Sequence, residues 1–297
     1  MSAAVQYVQF VLAPQMLVGL VLGVAVIFVA LGLTIIFGLL EVINMAHGEF
    51  YALGAFIALA LSSIGLPFWV LLALVPLLML PIGYVIERSL IQRVFHTGER
   101  HVTTLLLTFG LGLVLEDCYR LIFGPNPHRP DMPLTGGVDL FGIFLPTYRL
   151  FLILIGAAII AAVAFVVYRT RLGAMVRAAA FDRHMAASLG VPVQHVYAGA
   201  FAFGIALAGL AGVLLAPLYS VFPTMGRDFI LIACTVVIVG GMGSIAGAVV
   251  AGLVLTQVQA IVSLYISPVW SDPIVFGIMV AMLMVRPQGL FGRLGHG

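Results

Sequence analysis

The sequence contains very little charge and no lysine. Only 8% of its 297 residues are charged, while 63% are hydrophobic. Soluble proteins have about 25% charged and about 45–50% apolar residues, so this composition excludes a water-soluble globule. All thirteen basic residues are arginine, and with eleven acidic residues they leave a net charge of +2. Too few charges are present to form a nucleic-acid-binding surface.

Cysteine is also scarce, which excludes two further classes of protein. Cys118 and Cys234 lie in apolar stretches, without partners at metal-ligand spacing. The pattern predicts neither a disulfide framework nor a zinc site, and we expect no metal or cofactor. A P-loop is absent too, so the chain does not bind ATP through that motif. Residues 1–40 lack the basic start of a cleavable signal peptide, which predicts a retained N-terminus.

Long charge-free runs predict membrane-spanning helices. A charge at the bilayer centre costs about 2.5–3.5 kcal/mol, and a spanning helix needs about 20 residues. We therefore expect an all-α polytopic membrane protein, one domain over 1–297, with nine spans and with eight or ten as alternatives. The expected spans are 16–38, 50–63, 67–86, 103–123, 150–168, 197–218, 229–242, 248–266 and 269–285. The second and seventh are short, as in broken or re-entrant helices.

The arginines predict the orientation of the chain. They concentrate in segments 87–101 and 169–196 and in the tail after residue 285. Arginine-rich loops stay in the cytoplasm, so these three segments are expected there. With nine spans, the N-terminus then lies outside and the C-terminus inside. The proline-rich segment 124–149 becomes the longest external loop.

Two of the expected spans carry a face of small residues. In the sixth span, the residues at every fourth position are Ala200, Gly204, Ala208, Gly212 and Ala216. In the eighth, one face holds Ala248, Gly252, Thr256, Gln259 and Ser263. Membrane helices associate through small residues, because lipid provides no hydrophobic drive between them. Helix packing is the favoured interpretation of both faces. For the eighth span, the alternative is that the face lines a solute path that includes Thr256 and Gln259.

Polar groups cluster at the end of the first span, in segment 41–49. Besides Glu41, the segment holds Asn44, His47 and Glu49. Ionisable groups at membrane depth are functional candidates. If the first span continues through the segment, Asn44 and His47 share a helical face and line the solute path or its inner gate. The alternative, which the orientation slightly favours, is a short cytoplasmic turn with solvated glutamates.

The cytoplasmic segment 171–192 reads as one short helix of small residues. Its alanines favour a helix, and Gly190 followed by Pro192 ends it. Such a helix suits a groove on a soluble partner, and the alternative is a helix lying on the lipid surface. The residues expected to make or orient the contact are Arg177, Ala178, Ala179, Asp182 and Gly190.

Four motifs carry a resemblance to a known family. They are Gly32–Ala55, with Asn44-Met-Ala-His47-Gly48-Glu49 at its centre, the stretch from Arg177-Ala-Ala-Ala-Phe-Asp182 to Gly190-Val-Pro192, Val239–Gly247 and Arg286–Gly292. In this order they resemble the branched-chain amino-acid ABC importer permeases, in their LivH branch. The resemblance covers nearly the whole chain.

The resemblance implies a transport subunit in the cytoplasmic membrane of a bacterium. A second, related permease would complete the path, two cytoplasmic ATPases would drive it through segment 171–192, and an external binding protein would deliver leucine, isoleucine or valine. Urea and short-amide permeases share these motifs, and a secondary transporter or channel would share the composition. An intramembrane enzyme built on His47 with Glu49, or on Glu116 with Asp117, is disfavoured because no nucleophile with a base partner is evident.

Overall fold

The computed structural model describes residues 6–40, 42, 44–94, 100–140 and 143–292. These residues form helices and one small hairpin. In chain order the elements are α1 (Ala13–Leu40), α2 (His47–Ser63), α3 (Phe68–Ile86), α4 (Arg100–Phe123), β1 (Gly137–Leu140), β2 (Ile143–Pro146), α5 (Thr147–Arg169), α6 (Arg171–Phe181), α7 (Arg183–Ser188), α8 (Val193–Leu215), α9 (Met225–Gly240), α10 (Ile245–Tyr265) and α11 (Ser271–Val285). Short helical turns precede α1 and α11 and extend α3 as far as Val94.

The all-α polytopic architecture expected from the sequence is confirmed. Each expected span coincides with a long helix, to within a few residues at its ends. Of the helices in the described part of the chain, six are long and apolar enough to cross a membrane: α1, α3, α5, α8, α10 and α11 with its preceding turn. Helices α2 and α9 have only 17 and 16 residues, and α4 carries several charges. The number of nine spans stays a prediction.

Helices α1 and α8 lie at the centre of the fold. Glycines on both helices allow neighbouring helices to pack at short distance. A Cβ built on Gly23 of α1 would lie 2.7 Å from the Thr256 hydroxyl of α10. One built on Gly204 of α8 would lie 2.9 Å from the Gly32 carbonyl of α1. The small-residue stripe of α8 therefore faces α1 and α2 rather than lipid.

The expected outer loop contains the hairpin. Strands β1 and β2 pair antiparallel, with Gly137 opposite Pro146. Before them, His128 forms an isolated bridge with Val221, in the connection between α8 and α9. The Tyr148 hydroxyl of α5 donates to the Leu214 carbonyl, at 2.8 Å. These contacts hold the loop against the ends of α8 and α9.

Two of the sequence motifs meet at the opposite end of the molecule. The Leu290 N–H donates to the Val239 carbonyl at 2.8 Å, and the Phe291 N–H donates to the Gly240 carbonyl at 3.0 Å. Gly241 has a φ of +102°, a conformation that glycine adopts without strain. The C-terminal motif is thus pinned to the turn between α9 and α10, up to residue 292. Arg293, expected in the cytoplasmic tail, lies outside the described residues.

Candidate functional site

The chain between α1 and α2 runs back to the middle of α1. The His47 ring lies 3.1 Å from the carbonyl of Val29, a residue eleven positions before the end of α1. At 1.5 Å per residue, this contact lies about 16 Å along the helix axis from Leu40. Of the connecting residues that the structure describes, Val42, Asn44 and Ala46 are buried.

The alternative of a turn with solvated glutamates is wrong for Glu49, which is only 5% exposed. The chain returns from Leu40, the last residue of α1, to the level of Val29. Inside a membrane, non-helical backbone is tolerated only where protein or a cavity surrounds it. Helix α2, with only 17 residues, thus begins beside the middle of α1, and Glu41 and Ile43 lie outside the described residues.

Asn44 ends the irregular segment and starts α2. Its side-chain oxygen accepts the Ala46 N–H at 3.1 Å, and its carbonyl accepts the His47 N–H, also at 3.1 Å. The Met45 N–H is bound by the Thr108 hydroxyl of α4 at 3.1 Å. Because α1 stops at Leu40, the premise that Asn44 and His47 share one helical face is wrong. Both side chains are nevertheless buried beside the break.

His47 is wedged between α1 and α8. It is fully buried, and its Nε2–H donates to Val29, because a carbonyl can only accept. A Cβ built on Gly32 would lie 2.8 Å from that nitrogen, so only glycine at this position leaves room for the ring. Among the described residues, the other ring nitrogen, Nδ1, has no hydrogen-bond partner, and neither does the amide nitrogen of Asn44.

Glu49 lies one half-turn further along α2, under the first turn of α9. It is only 5% exposed. A Cβ built on Gly226 would lie 2.7 Å from both of its carboxylate oxygens. Its backbone carbonyl accepts the Tyr119 hydroxyl of α4 at 2.8 Å, which fastens α2 to α4.

An ion-pair network links α4 to α9 next to Glu49. The buried Glu116 carboxylate accepts from Arg120 at 2.5 Å and from Arg227 at 2.5 Å. Sequence reasoning considered Glu116 and Asp117 only as a disfavoured enzyme site and missed Arg227. The available signal was that Arg227 and Asp228 are the only charges between two long apolar runs.

Thr256 and Gln259, the other candidates for the solute path, lie at different helix contacts. Thr256 is fully buried against α1, and its hydroxyl donates to the Gly252 carbonyl at 2.8 Å. The Gln259 amide donates to the Asp272 carboxylate of α11 at 2.7 Å. Asn44, His47 and Glu49, in contrast, lie together at the start of α2.

Segment 171–192, which is expected in the cytoplasm, forms two helices rather than the expected one. Asp182 separates α6 from α7, and its carboxylate accepts the N–H groups of Met185 and His184 at 2.9 and 2.8 Å. Aspartate prefers such a capping position to a helix interior, which explains the break. Both hydrogen bonds lower the pKa of the Asp182 carboxyl, and the bond from Met185 has the larger effect.

Helix α6 is fastened to the end of α5. The Arg177 guanidinium donates to the Val167 carbonyl and lies 6.0 Å from the centre of the Tyr168 ring. Ala179 is only 3% exposed. The expectation that Ala179 faces a groove on a partner is therefore wrong, since this side chain packs inward, whereas its neighbour Ala178 is exposed.

Three large apolar side chains are exposed on the same segment. Phe181, Met185 and Leu189 have exposed fractions of 82%, 60% and 78%. Gly190, with a φ of +85°, ends the segment where expected. Sequence reasoning concentrated on the alanines and missed these three residues, whose spacing of four was the available signal.

Comparison with known proteins places these features in a family context. Residues 15–283 match the family model "Branched-chain amino acid transport system / permease component". LivH of Salmonella typhimurium, a high-affinity branched-chain amino acid transport system permease protein, is 30% identical over 94% of this chain and 95% of its own length. BraD of Pseudomonas aeruginosa has the same identity and coverage. LivM of Escherichia coli is 28% identical over 89% of this chain and 67% of its own length. No solved structure matches the chain.

Proposed function

The chain belongs to the branched-chain amino acid transport permease family, and from this premise we propose that it carries leucine, isoleucine and valine across the cytoplasmic membrane as the permease subunit of an ATP-driven importer. The observation that carries the proposal is the similarity to LivH and BraD, which extends over 94% of the chain. Urea or short amides as cargo, and a secondary transporter or channel, are less favoured, because the relatives are named for branched-chain amino acid transport.

The proposed assembly contains two different permeases. The chain resembles both LivH and LivM, two permease proteins named for the same kind of system. A second, related permease is therefore the natural partner, with two cytoplasmic ATPase subunits and an external solute-binding protein. The chain lacks a P-loop, so the ATPases supply the energy and this subunit is not an enzyme. Its N-terminus lies outside and its C-terminus inside, as the arginine distribution predicts.

The start of α2 provides the proposed solute path. Asn44, His47 and Glu49 are buried beside the middle of α1, and inside a proposed membrane span unsatisfied polar groups are costly. Each has a buried side-chain atom that lacks a hydrogen-bond partner within the described ranges. A zwitterionic solute that leaves water needs such polar groups to bind its ammonium and carboxylate groups. It also needs an apolar surface that contacts its side chain. Thr256 and Gln259 are proposed as further path residues, at the α10 contacts.

An uptake assay tests this function directly. The chain is reconstituted in proteoliposomes with its sister permease, ATPases and binding protein, and ATP-dependent uptake of leucine, isoleucine, valine, phenylalanine and urea is compared. We expect uptake of the three branched-chain amino acids only with ATP present. Uptake of urea alone, or uptake driven by an ion gradient without ATPases, would replace the proposal with one of the alternatives.

Segment 171–192 is the proposed ATPase-coupling element. Large exposed apolar side chains on a cytoplasmic loop are typical of a docking surface, and Phe181, Met185 and Leu189 supply them. Arg177, Ala178, Ala179, Asp182 and Gly190 shape the segment: Asp182 caps α7, and Ala179 and Arg177 hold α6 to the membrane domain. Because α6 is fastened to α5 and the segment leads into α8, motion of an ATPase would reach both spans.

Charged replacements test the docking surface. Met185→Asp and Leu189→Asp should leave insertion and abundance unchanged but prevent co-purification of the ATPases, because a carboxylate would be desolvated in the contact. The control is Ala187→Asp, since Ala187 is exposed on the other side of α7. Normal co-purification and ATP-dependent uptake in both test variants would require a different coupling contact.

A further inference from the structure

Glu49 is a buried carboxylate that forms no salt bridge with the described residues. Its Oε2 atom has no hydrogen-bond partner in the part of the chain that the structure describes. The glycine at 226 leaves space for the carboxylate, since a Cβ there would lie 2.7 Å from both oxygens. A buried, unpaired carboxylate destabilises a fold. Its presence beside the proposed path indicates that a partner arrives from outside the chain.

Two helix N-termini meet at this carboxylate. Helix α2 begins at His47 and α9 begins at Met225. The two helices approach so closely that a Cβ on Gly48 would run into the Gly226 carbonyl. The N-terminal ends of interrupted membrane helices carry partial positive charge and favour anions. Glu49 already occupies this position as the anion, so the complementary ligand group is a cation.

Arg227 provides a second binding group next to Gly226. Its side chain is 58% exposed, and one of its nitrogens is bound to Glu116 at 2.5 Å. A guanidinium has five N–H donors, so Arg227 keeps donors for another anion. Arg227 follows Gly226 directly in the chain, and a Cβ built on Gly226 would lie 2.7 Å from the Glu49 carboxylate oxygens.

Exposed apolar side chains lie one helical turn from these groups. Leu231 follows Arg227 by four residues on α9, and Leu113 precedes Glu116 by three residues on α4. Their exposed fractions are 54% and 42%. Residues at these spacings lie on the same helical face, so a polar pair and an apolar surface are adjacent.

We propose that Glu49 binds the ammonium group and Arg227 the carboxylate group of the transported amino acid, with the branched side chain against Leu231 and Leu113. This inference rests on the proposed function and deepens it by assigning the two charged ends of the solute. The ammonium group satisfies the unpaired oxygen of Glu49, and the carboxylate uses the free donors of Arg227. The solute then exchanges its water shell for fixed groups at the start of α2 and α9.

Charge-removing and charge-keeping variants of the complete reconstituted transporter test the proposal. We expect Glu49→Gln to lower the maximal rate of leucine uptake about 10- to 100-fold, the factor for loss of a hydrogen bond to a charged group. The half-saturating leucine concentration should not change, because the binding protein sets it. ATP hydrolysis stimulated by the loaded binding protein should persist. Glu49→Asp should restore part of the rate, which a purely steric role of Glu49 would not predict.

Arg227 gives an independent test. Its side chain is 58% exposed, but it also pairs with the buried Glu116, so size-exclusion chromatography first verifies that each Arg227 variant assembles. Arg227→Gln should lower the maximal uptake rate as strongly, and Arg227→Lys should restore part of it. The control is Arg129→Gln, which removes an exposed outer-loop arginine that donates to the Ser220 hydroxyl at 3.0 Å.

The outcomes separate this inference from the proposed function. If the parental transporter takes up leucine and an assembled Arg227→Gln or Glu49→Gln variant does so at the parental rate, the assigned site is wrong while the function stands. If the parental transporter takes up no branched-chain amino acid, the proposed function itself fails.

Discussion

Replacing Gly212 by alanine tests whether α8 touches α2 at backbone distance. A Cβ built on Gly212 would lie 2.7 Å from the Ala55 backbone nitrogen and closer still to the Tyr51 carbonyl. Both neighbours are backbone atoms of α2, so no side chain can rotate away. Ordinary Cβ contacts begin at 3.4 Å, and the helices would therefore have to separate by at least about 0.7 Å. Gly212→Leu should have a still larger effect and reduce assembly and transport.

A second glycine of the same helix provides the matched control. Gly199 is exposed, and no atom lies within 4 Å of a Cβ built on it. In both variants, exchanging glycine for alanine stabilises the helix by about 1 kcal/mol, and this contribution cancels in the comparison. What remains is the cost of overpacking, about 1–3 kcal/mol. Gly212→Ala should therefore be less stable than Gly199→Ala by that amount.

Thermal unfolding of the two variants in detergent, followed by size-exclusion chromatography, measures the difference. We expect the Gly199→Ala midpoint to equal or exceed that of the parental chain, and the Gly212→Ala midpoint to fall clearly below that of Gly199→Ala. If the two variants have the same midpoint, the helices are not in backbone contact at Gly212. The interpretation of the small-residue stripe as a packing surface would then be refuted.

Two further predictions concern the orientation and the path. Cysteines introduced at Arg93 and Arg183 should be protected in intact cells from a membrane-impermeant thiol reagent, while a cysteine at Asp131 should react. Labelling at position 183 from outside would show that the predicted orientation is wrong. His47→Ala should reduce uptake without loss of assembly, and His47→Gln, whose amide can still donate to the Val29 carbonyl, should restore part of it; parental uptake by His47→Ala would remove His47 from the path.

The fold class could be predicted from the sequence because membrane insertion depends mainly on the composition of each segment by itself. The helices found at 147–169, 193–215 and 245–265 differ from the expected spans by only a few residues. The small-residue stripe of α8 was equally visible, because its spacing of four is a property of a single helix. The family motifs, too, are local in the sequence.

The candidate site was only partly predictable. Its residue types marked segment 41–49, but their surroundings depend on residues far away in the chain. The sequence alone favoured a cytoplasmic turn, because an arginine count cannot show that the chain turns back along α1 and buries Glu49. The same limit hid the break at Asp182, where a local cap competes with a run of helix-forming alanines.

The sequence by itself determined a multi-pass helical membrane protein of a permease family, since hydrophobicity, spacing and motifs are local quantities. Only the tertiary structure decided that α2 begins beside the middle of α1, because this position follows from the contact of His47 with Val29, eighteen positions earlier. It likewise decided that Glu116 pairs with Arg227, across 111 positions. Such contacts depend on how the helices pack around Gly32, Gly48 and Gly226, where the missing side chains let distant backbones meet.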